Sequence, residues 1–193
     1  KDKIYDNMSD KLYKNCPVWV VPIWVDPIVT ETKYTGKNEI KTIQYFGNLG
    51  LVNGLDAGID LLESLAKKYE IQIIGNGRNV EELKDNLPAS VKILKGTPFF
   101  ERSKVHACAN ISLVIQENWL MQLAVPSKAY FSWQQLKPVL YVGNKDSHIY
   151  KLIIKYPFLG IPWDYRLESV EKCTEKLSIF FTNTSVCAAN EMN

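Results

Sequence analysis

Two short segments carry residue types suited to holding an anion. Gly47, Gly50 and Gly54 fall within eight residues. Glycines let a backbone turn tightly and approach a bound group. The segment then runs into a helical pattern, and the first amides of a helix carry a partial positive charge that suits phosphate. The spacing is neither G-x-G-x-x-G nor a Walker loop, so an ordinary tight turn between strand and helix stays open. The second segment, 116–128, is long for a connection of this kind and ends Pro126-Ser127-Lys128. Pro126 suits the start of a helix. Lys128 in its first turn opposes the helix dipole, which is unfavourable unless an anion sits nearby. The alternative is a lysine that points to solvent. Two helix starts facing each other would suit a diphosphate.

Other residues that could do chemistry stand apart. Cys16, Cys108, Cys173 and Cys187 form no C-x-x-C pair and have no histidines at zinc spacing. No metal is expected, and reduced thiols in a cytoplasmic compartment are the default. His106 falls mid-helix beside Cys108 and reads as a partly buried helix residue. His148 falls at a helix start on the same rim, either within reach of a ligand or as a surface cap. Asp56 and Asp60 are i, i+4 neighbours and read as a solvated face or a match to the helix dipole. Trp119 and Met121 read as an apolar plug or a partner contact. No Ser-His-Asp order presents itself.

What must position the glycine loop and Lys128 is an alternation of strands and helices. β-rich runs at 40–46, 71–74, 91–94, 111–115 and 138–142 read as strands, the first three and the fifth followed by a glycine. A weaker run at 158–161 adds a sixth. Leu55, Ile59, Leu62, Leu65, Ala66 and Tyr69 recur at spacings of three and four, a helical stripe. Helices are also read over 79–87, 101–109, 126–135, 147–156 and 167–181. Short apolar strands alternating with helices predict an α/β, Rossmann-like, doubly wound parallel sheet of about six strands with helices on both faces. The order 3-2-1-4-5-6 makes strands one and four neighbours and opens a crevice between their following loops, where ligands bind. Both anion-suited segments fall there.

Residues 1–36 differ. Pro17, Pro22 and Pro27 recur through an apolar stretch with Trp19 and Trp24, and repeated prolines forbid a helix or a central strand. A tether is expected there, its tryptophans covering the following domain or a partner, with one domain over 37–193. The chain has 193 residues, 46% of them hydrophobic and 23% charged, so it is not disordered. A net charge of +2 gives no basic stripe for nucleic acid. The longest apolar stretch is too short to span a bilayer, which leaves peripheral membrane contact open. The chain begins at Lys1 without a signal peptide and reads as a fragment cut from something longer.

On these residues the sequence resembles the C-terminal, donor-binding half of a retaining GT-B glycosyltransferase of the group 1 type. Val125-Pro-Ser-Lys128 followed by Leu136-Lys-Pro-Val139 is similar to that family's "PSK … G-K-P-V" segment. Tyr45-Phe-Gly-Asn-Leu-Gly50 with Asn53-Gly54 resembles its first glycine loop, Ile73-Ile-Gly-Asn-Gly77 its second strand end and Leu94-Lys-Gly-Thr97 its third. The resemblance implies a nucleoside diphosphate sugar as ligand, with a UDP-sugar favoured, and no further cofactor. It implies that Gly47, Asn48, Gly50, Asn53 and Gly54 face the diphosphate or sugar. Asn76, Gly77, Thr97 and Pro98 would border the base, and Ser127 and Lys128 would cradle phosphate. Glu117 would be the acidic, catalytic residue near the donor sugar. It also implies a missing N-terminal domain that binds the acceptor, so the fragment alone is not expected to turn over.

The departures fall on the same residues. Asn48 and Asn53 stand where the family usually has basic residues, and Phe131 stands where it usually has a glutamate that grips the ribose. Gln134-Gln135-Leu136 replaces a small A-A-G. They leave two further readings open: a noncatalytic domain of the same fold that binds nucleotide sugar weakly or serves a partner, and an unrelated doubly wound domain with a small anionic ligand.

Overall fold

The computed structural model describes residues 41–49, 54–55, 58–78, 80–98, 105–106, 108–121 and 123–190, with side chains to residue 183. The expected tether with Trp19 and Trp24 lies outside them, as do Gly50, Asn53 and Asp56.

Six strands, β1 (Thr42–Phe46), β2 (Glu70–Gly75), β3 (Lys92–Lys95), β4 (Ile111–Ile115), β5 (Val139–Val142) and β6 (Gly160–Trp163), form one sheet in the order β3-β2-β1-β4-β5-β6. Every pairing is parallel. Among the described residues five helices pack with it: α1 (Ile59–Ala66), α2 (Val80–Asn86), α3 (Ser127–Gln134), α4 (His148–Lys155) and α5 (Val170–Asn190). The expected order holds, with β1 and β4 paired at the centre.

Several boundaries differ from the sequence reading, the last helix among them, which starts at Val170 rather than 167. Leu55 lies buried ahead of α1 rather than in it, because Gly54 turns the chain at φ +71° against Ile115. The sixth strand starts at Gly160 rather than 158, after a 3-10 turn over Pro157–Leu159. A Cβ at Gly160 would lie 1.9 Å from the carbonyl oxygen of Val139, so this close entry into the sheet needs glycine. The last helix runs on past Phe181, to Asn190.

Alternation along the strands sends side chains to two faces. Ile43, Tyr45, Ile73, Leu113 and Leu140 join Leu61, Leu62 and Leu65 of α1 and Cys173 and Leu177 of α5 in the larger core. Each fully buried leucine there stabilises the fold by about 1.5–3 kcal/mol. A smaller core under α3 and α4 gathers Val114, Ala129, Val139, Tyr141, Ile149 and Ile153. The face that carries this smaller core is not apolar throughout. Over β1, β2 and β4 it carries a polar row in strands that read as apolar. Gln44 donates to Gln72 at 3.2 Å, Gln72 donates to Glu70 at 3.1 Å, and Glu70 pairs with Lys92 at 2.6 Å.

α3 and α4 begin differently. Ser147 caps α4, its hydroxyl accepting from the Tyr150 amide at 3.2 Å. α3 begins after Pro126 with no side-chain cap, and its first turn holds no acidic residue. Its far end closes with Lys137 N–H to Ser132 C=O and Leu136 N–H to Trp133 C=O, both 2.9 Å, which puts Leu136 at φ +54°.

Candidate functional site

A cavity of about 500 Å³ opens at the carboxyl ends of β1, β2 and β4, where the strand order reverses. Its lining brings together Gly47, Asn48, Asn76, Thr97, Ser127 and Lys128, residues scattered over more than eighty positions. Gly54, Gly77, Pro98 and Glu117 are not in that lining.

The loop after β1 lies flat on the end of β2. Gly47 N–H donates to Ile74 C=O at 2.9 Å and Leu49 N–H to Asn76 C=O at 3.0 Å. This passage explains two glycines. A Cβ at Gly75 would lie 1.9 Å from the Gly47 carbonyl oxygen, and one at Gly77 would lie 2.1 Å from that of Leu49. Gly77 therefore serves the backbone crossing. Asn76 turns its side-chain oxygen to accept from the Gly96 amide at 2.9 Å, tying the ends of β2 and β3 together.

Lys128 is the cation of the cavity. From the first turn of α3 its ammonium reaches Tyr45, donating to the phenol oxygen at 2.5 Å and lying 4.3 Å from the ring centroid. The path is open because residue 47 is glycine. A Cβ there would sit 2.2 Å from Lys128 Cε. Burial lowers the Lys128 pKa to about 8 and pushes the Tyr45 phenol up. Burial thus disfavours the charged form of each partner, and among the described residues no carboxylate pairs with the ammonium. Among the described residues that line the cavity, Lys128 is the one charged side chain. Beside it the first amides of α3 lack a side-chain cap, and Ser127 stands exposed.

His106 has a larger place than a partly buried helix residue. It is buried and lines the cavity. Its Nδ1 lies 3.0 Å from Gln44 Oε1, and its Nε2 lies 3.0 Å from Ser112 Oγ. Gln44 uses its amide nitrogen on Gln72 and on the Val105 carbonyl. Its oxygen must therefore accept from Nδ1–H, and Nε2 accepts the Ser112 hydroxyl. Burial first, and Lys137 second, lower the His106 pKa to about 4, so the ring is neutral. Phe131 packs against it at 5.3 Å and against Phe46 at 6.4 Å. Phe46, Gln44 and Ser112 were not singled out by sequence. The one signal for Gln44 and Ser112 was a polar residue at alternate positions of strands that otherwise read as apolar.

Glu117 accepts from Trp119 Nε1 at 2.8 Å beside a 3-10 turn over Asn118–Leu120. Trp119 is exposed rather than plugging the cavity. His148 is exposed at the start of α4. Among the described residues no three His, Cys, Asp or Glu side chains cluster as metal ligands. No helix there is long and apolar enough to cross a membrane.

No family model matches the chain. A Pseudomonas aeruginosa protein described as "Probable glycosyltransferase WbjE" is 29% identical over 175 residues, 85% of this chain and 42% of that protein. Among solved structures, the apo form of the lipopolysaccharide outer core galactosyltransferase WaaB matches 79% of this chain and 43% of its own, with a TM-score of 0.59 at 13% identity. A mutant of S. aureus TarM, solved with fondaparinux, alpha-GlcNAc-glycerol and UDP, matches 81% of this chain and 30% of its own, with a TM-score of 0.52 at 14% identity. The chain spans less than half the length of each of these proteins. The resemblance to the C-terminal half of a GT-B glycosyltransferase is therefore borne out, by likeness in sequence to a glycosyltransferase and by a fold shared with part of solved ones.

Proposed function

We propose that this chain is the donor-binding part of a glycosyltransferase, and that its cavity takes the diphosphate of a nucleoside diphosphate sugar, a UDP-sugar first among them. One observation carries the reading: the Lys128 ammonium, half-buried between the ends of the two central strands, faces a neutral phenol instead of a carboxylate. A phosphate supplies the missing counter-charge. The uncapped amides at the start of α3 add donors on the same side. The likeness to WbjE and the presence of UDP in the TarM complex support the assignment.

In this reading Lys128 and those amides stabilise the negative charge that builds on the leaving diphosphate, a preorganised electrostatic contribution. Asn48 lies at the exposed rim, in reach of a phosphate or sugar hydroxyl without neutralising either. Asn76 and Thr97 border the part of the cavity furthest along the sheet, where the base lies. Glu117 is the acid assigned to the donor sugar, and it acts only by leaving Trp119. Acceptor contacts belong to a further domain of the whole protein.

The test is calorimetric titration of UDP, UDP-glucose and GDP-mannose into the intact protein, as wild type and as Lys128→Ala. A charge-assisted contact contributes about 1.5–3 kcal/mol, so the variant is expected to bind at least about ten-fold more weakly. Absence of heat with every nucleotide at millimolar concentration rejects the donor site. Unchanged binding in Lys128→Ala rejects the placement of the phosphates.

A further inference from the structure

The walls of the cavity divide by chemistry. One side offers Lys128 and helix amides. The other is a shelf of aromatic carbon. Phe46 and Phe131 have ring centroids 6.4 Å apart and planes 28° apart, so they lie offset side by side rather than face to face. His106 extends this surface, 5.3 Å from Phe131 and 6.1 Å from Phe46. Both of its ring nitrogens are engaged, with Gln44 and with Ser112, so it offers a ligand no polar atom. All three rings line the cavity.

The shelf begins where the anion site ends. Phe46 precedes Gly47 in the chain, and Phe131 lies one helical turn beyond Lys128. In a nucleoside diphosphate the ribose is joined to the α-phosphate, so an α-phosphate on Lys128 brings the ribose against these rings. Dinucleotide-binding doubly wound folds read the ribose 2′-hydroxyl with a carboxylate. None stands among the described residues that line this cavity. A hydroxyl turned onto aromatic carbon gives up its water and gains no acceptor, whereas the C–H face of the sugar fits such a surface.

We propose that the Phe46–His106–Phe131 shelf leaves the ribose 2′-hydroxyl unread, so that the site takes a 2′-deoxynucleoside diphosphate at least as readily as its ribonucleotide. The inference rests on the reading of the cavity as a nucleotide site and fixes what that site selects.

UDP and 2′-deoxy-UDP are titrated into the intact wild-type protein and into Phe131→Leu and Phe46→Leu. In the wild type the two dissociation constants are expected to agree within about three-fold, or to favour the deoxynucleotide. Each leucine variant, checked by thermal melt to be folded, is expected to bind both nucleotides several-fold more weakly with their ratio unchanged. UDP binding more than three-fold tighter than 2′-deoxy-UDP overturns the proposal while leaving the nucleotide site in place. So does undiminished binding in both leucine variants. If neither nucleotide binds the wild type, the donor-site reading itself falls, and this inference with it.

Discussion

Lys128 and Asp164 are charged groups at the carboxyl ends of strands of one sheet, and the chain surrounds them in opposite ways. Asp164, just past β6, is enclosed and fully engaged. It accepts from the Lys145 amide at 2.8 Å, from the Arg166 amide at 3.1 Å, and from Arg166 Nε and Nη2 at 2.9 and 2.7 Å. These bonds, those from Arg166 above all, hold its carboxyl below the usual range. Arg166 and Asn144 both reach on to Asn118, so the carboxylate pins the loops after β5 and β6 to the 3-10 turn after β4. Lys128 has one phenol and its ring. Among the described residues it makes no ion pair. A charge whose bonds are all made within the chain builds the fold. A charge left with a neutral partner in a crevice costs the fold something and waits for a ligand.

The largest effect expected from this contrast is on Asp164. Asp164→Ala removes four hydrogen bonds and strands two backbone amides. It is expected to lower unfolding free energy by about 2–4 kcal/mol in a urea titration. UDP affinity should stay within about two-fold, because Asp164 is outside the cavity lining. A loss below about 1 kcal/mol would mean that the two rims are not as different as their geometry says.

Lys128→Ala should behave in the reverse sense. Its binding defect of about ten-fold corresponds to about 1.4 kcal/mol. The nucleotide-free variant should nonetheless be no less stable than wild type, since a half-buried, unpaired charge has been removed. A clear loss of stability would show that the lysine is a structural cation resting on Tyr45, and the contrast with Asp164 would collapse.

Titration sharpens the same point without any substitution. The folded Lys128 pKa of about 8 lies below its ordinary 10.5. Between these values the unfolded chain binds the extra proton, so nucleotide-free stability should rise with pH across that window. Nucleotide affinity moves the other way, because the ammonium is lost. Between pH 7 and 9 it should fall by about ten-fold, and Lys128→Ala should flatten that slope. His106 gives a second window on the acid side. Its folded pKa of about 4 lies below 6.5, so stability should decline as pH falls from 6.5 toward 4, when the unfolded chain gains a proton the buried ring refuses.

The parts of this arrangement that were legible in the sequence are those written locally. Glycine after strand, helical stripe after glycine, and handed crossovers were enough for the sheet order and for the crevice between β1 and β4. Lys128 was legible because a cation in the first turn of a helix is out of place. The aromatic shelf was not, because Phe46, His106 and Phe131 are brought together from three separate elements and none has a local pattern that marks it. The polar row on β1, β2 and β4 was hidden in strands whose hydrophobic content pointed to an apolar face. Gly77 was read as bordering the base, and its missing Cβ admits the carbonyl of Leu49. A glycine in a sequence shows that something passes closely, but not whether it is a ligand or the chain itself.

The smallest expected effect sits at the far end of the helix that carries Lys128. There the closing pattern of hydrogen bonds, Lys137 to Ser132 and Leu136 to Trp133, is the one helices use with glycine in a left-handed conformation. Leu136 takes that position at φ +54°, and it is the one described residue besides glycine with positive φ. Its side chain is 90% exposed, so it recovers little by burial. The left-handed region costs a residue with a Cβ about 1–2 kcal/mol, and glycine gives back part of that through the freedom it loses on folding. Leu136→Gly is therefore expected to stabilise the protein by about 1 kcal/mol, a rise in melting temperature of roughly 2–4 °C for a chain of this size. Leu136→Ala keeps the Cβ and should give little or none of that gain. The comparison with Lys128 is direct. Strain at the C-terminal end of α3 should be relieved with nucleotide affinity unchanged, whereas removing the cation at its N-terminal end should change affinity and leave stability intact. If Leu136→Gly instead weakened UDP binding, the two ends of the helix would be coupled, and the position of Lys128 would depend on how the helix is closed.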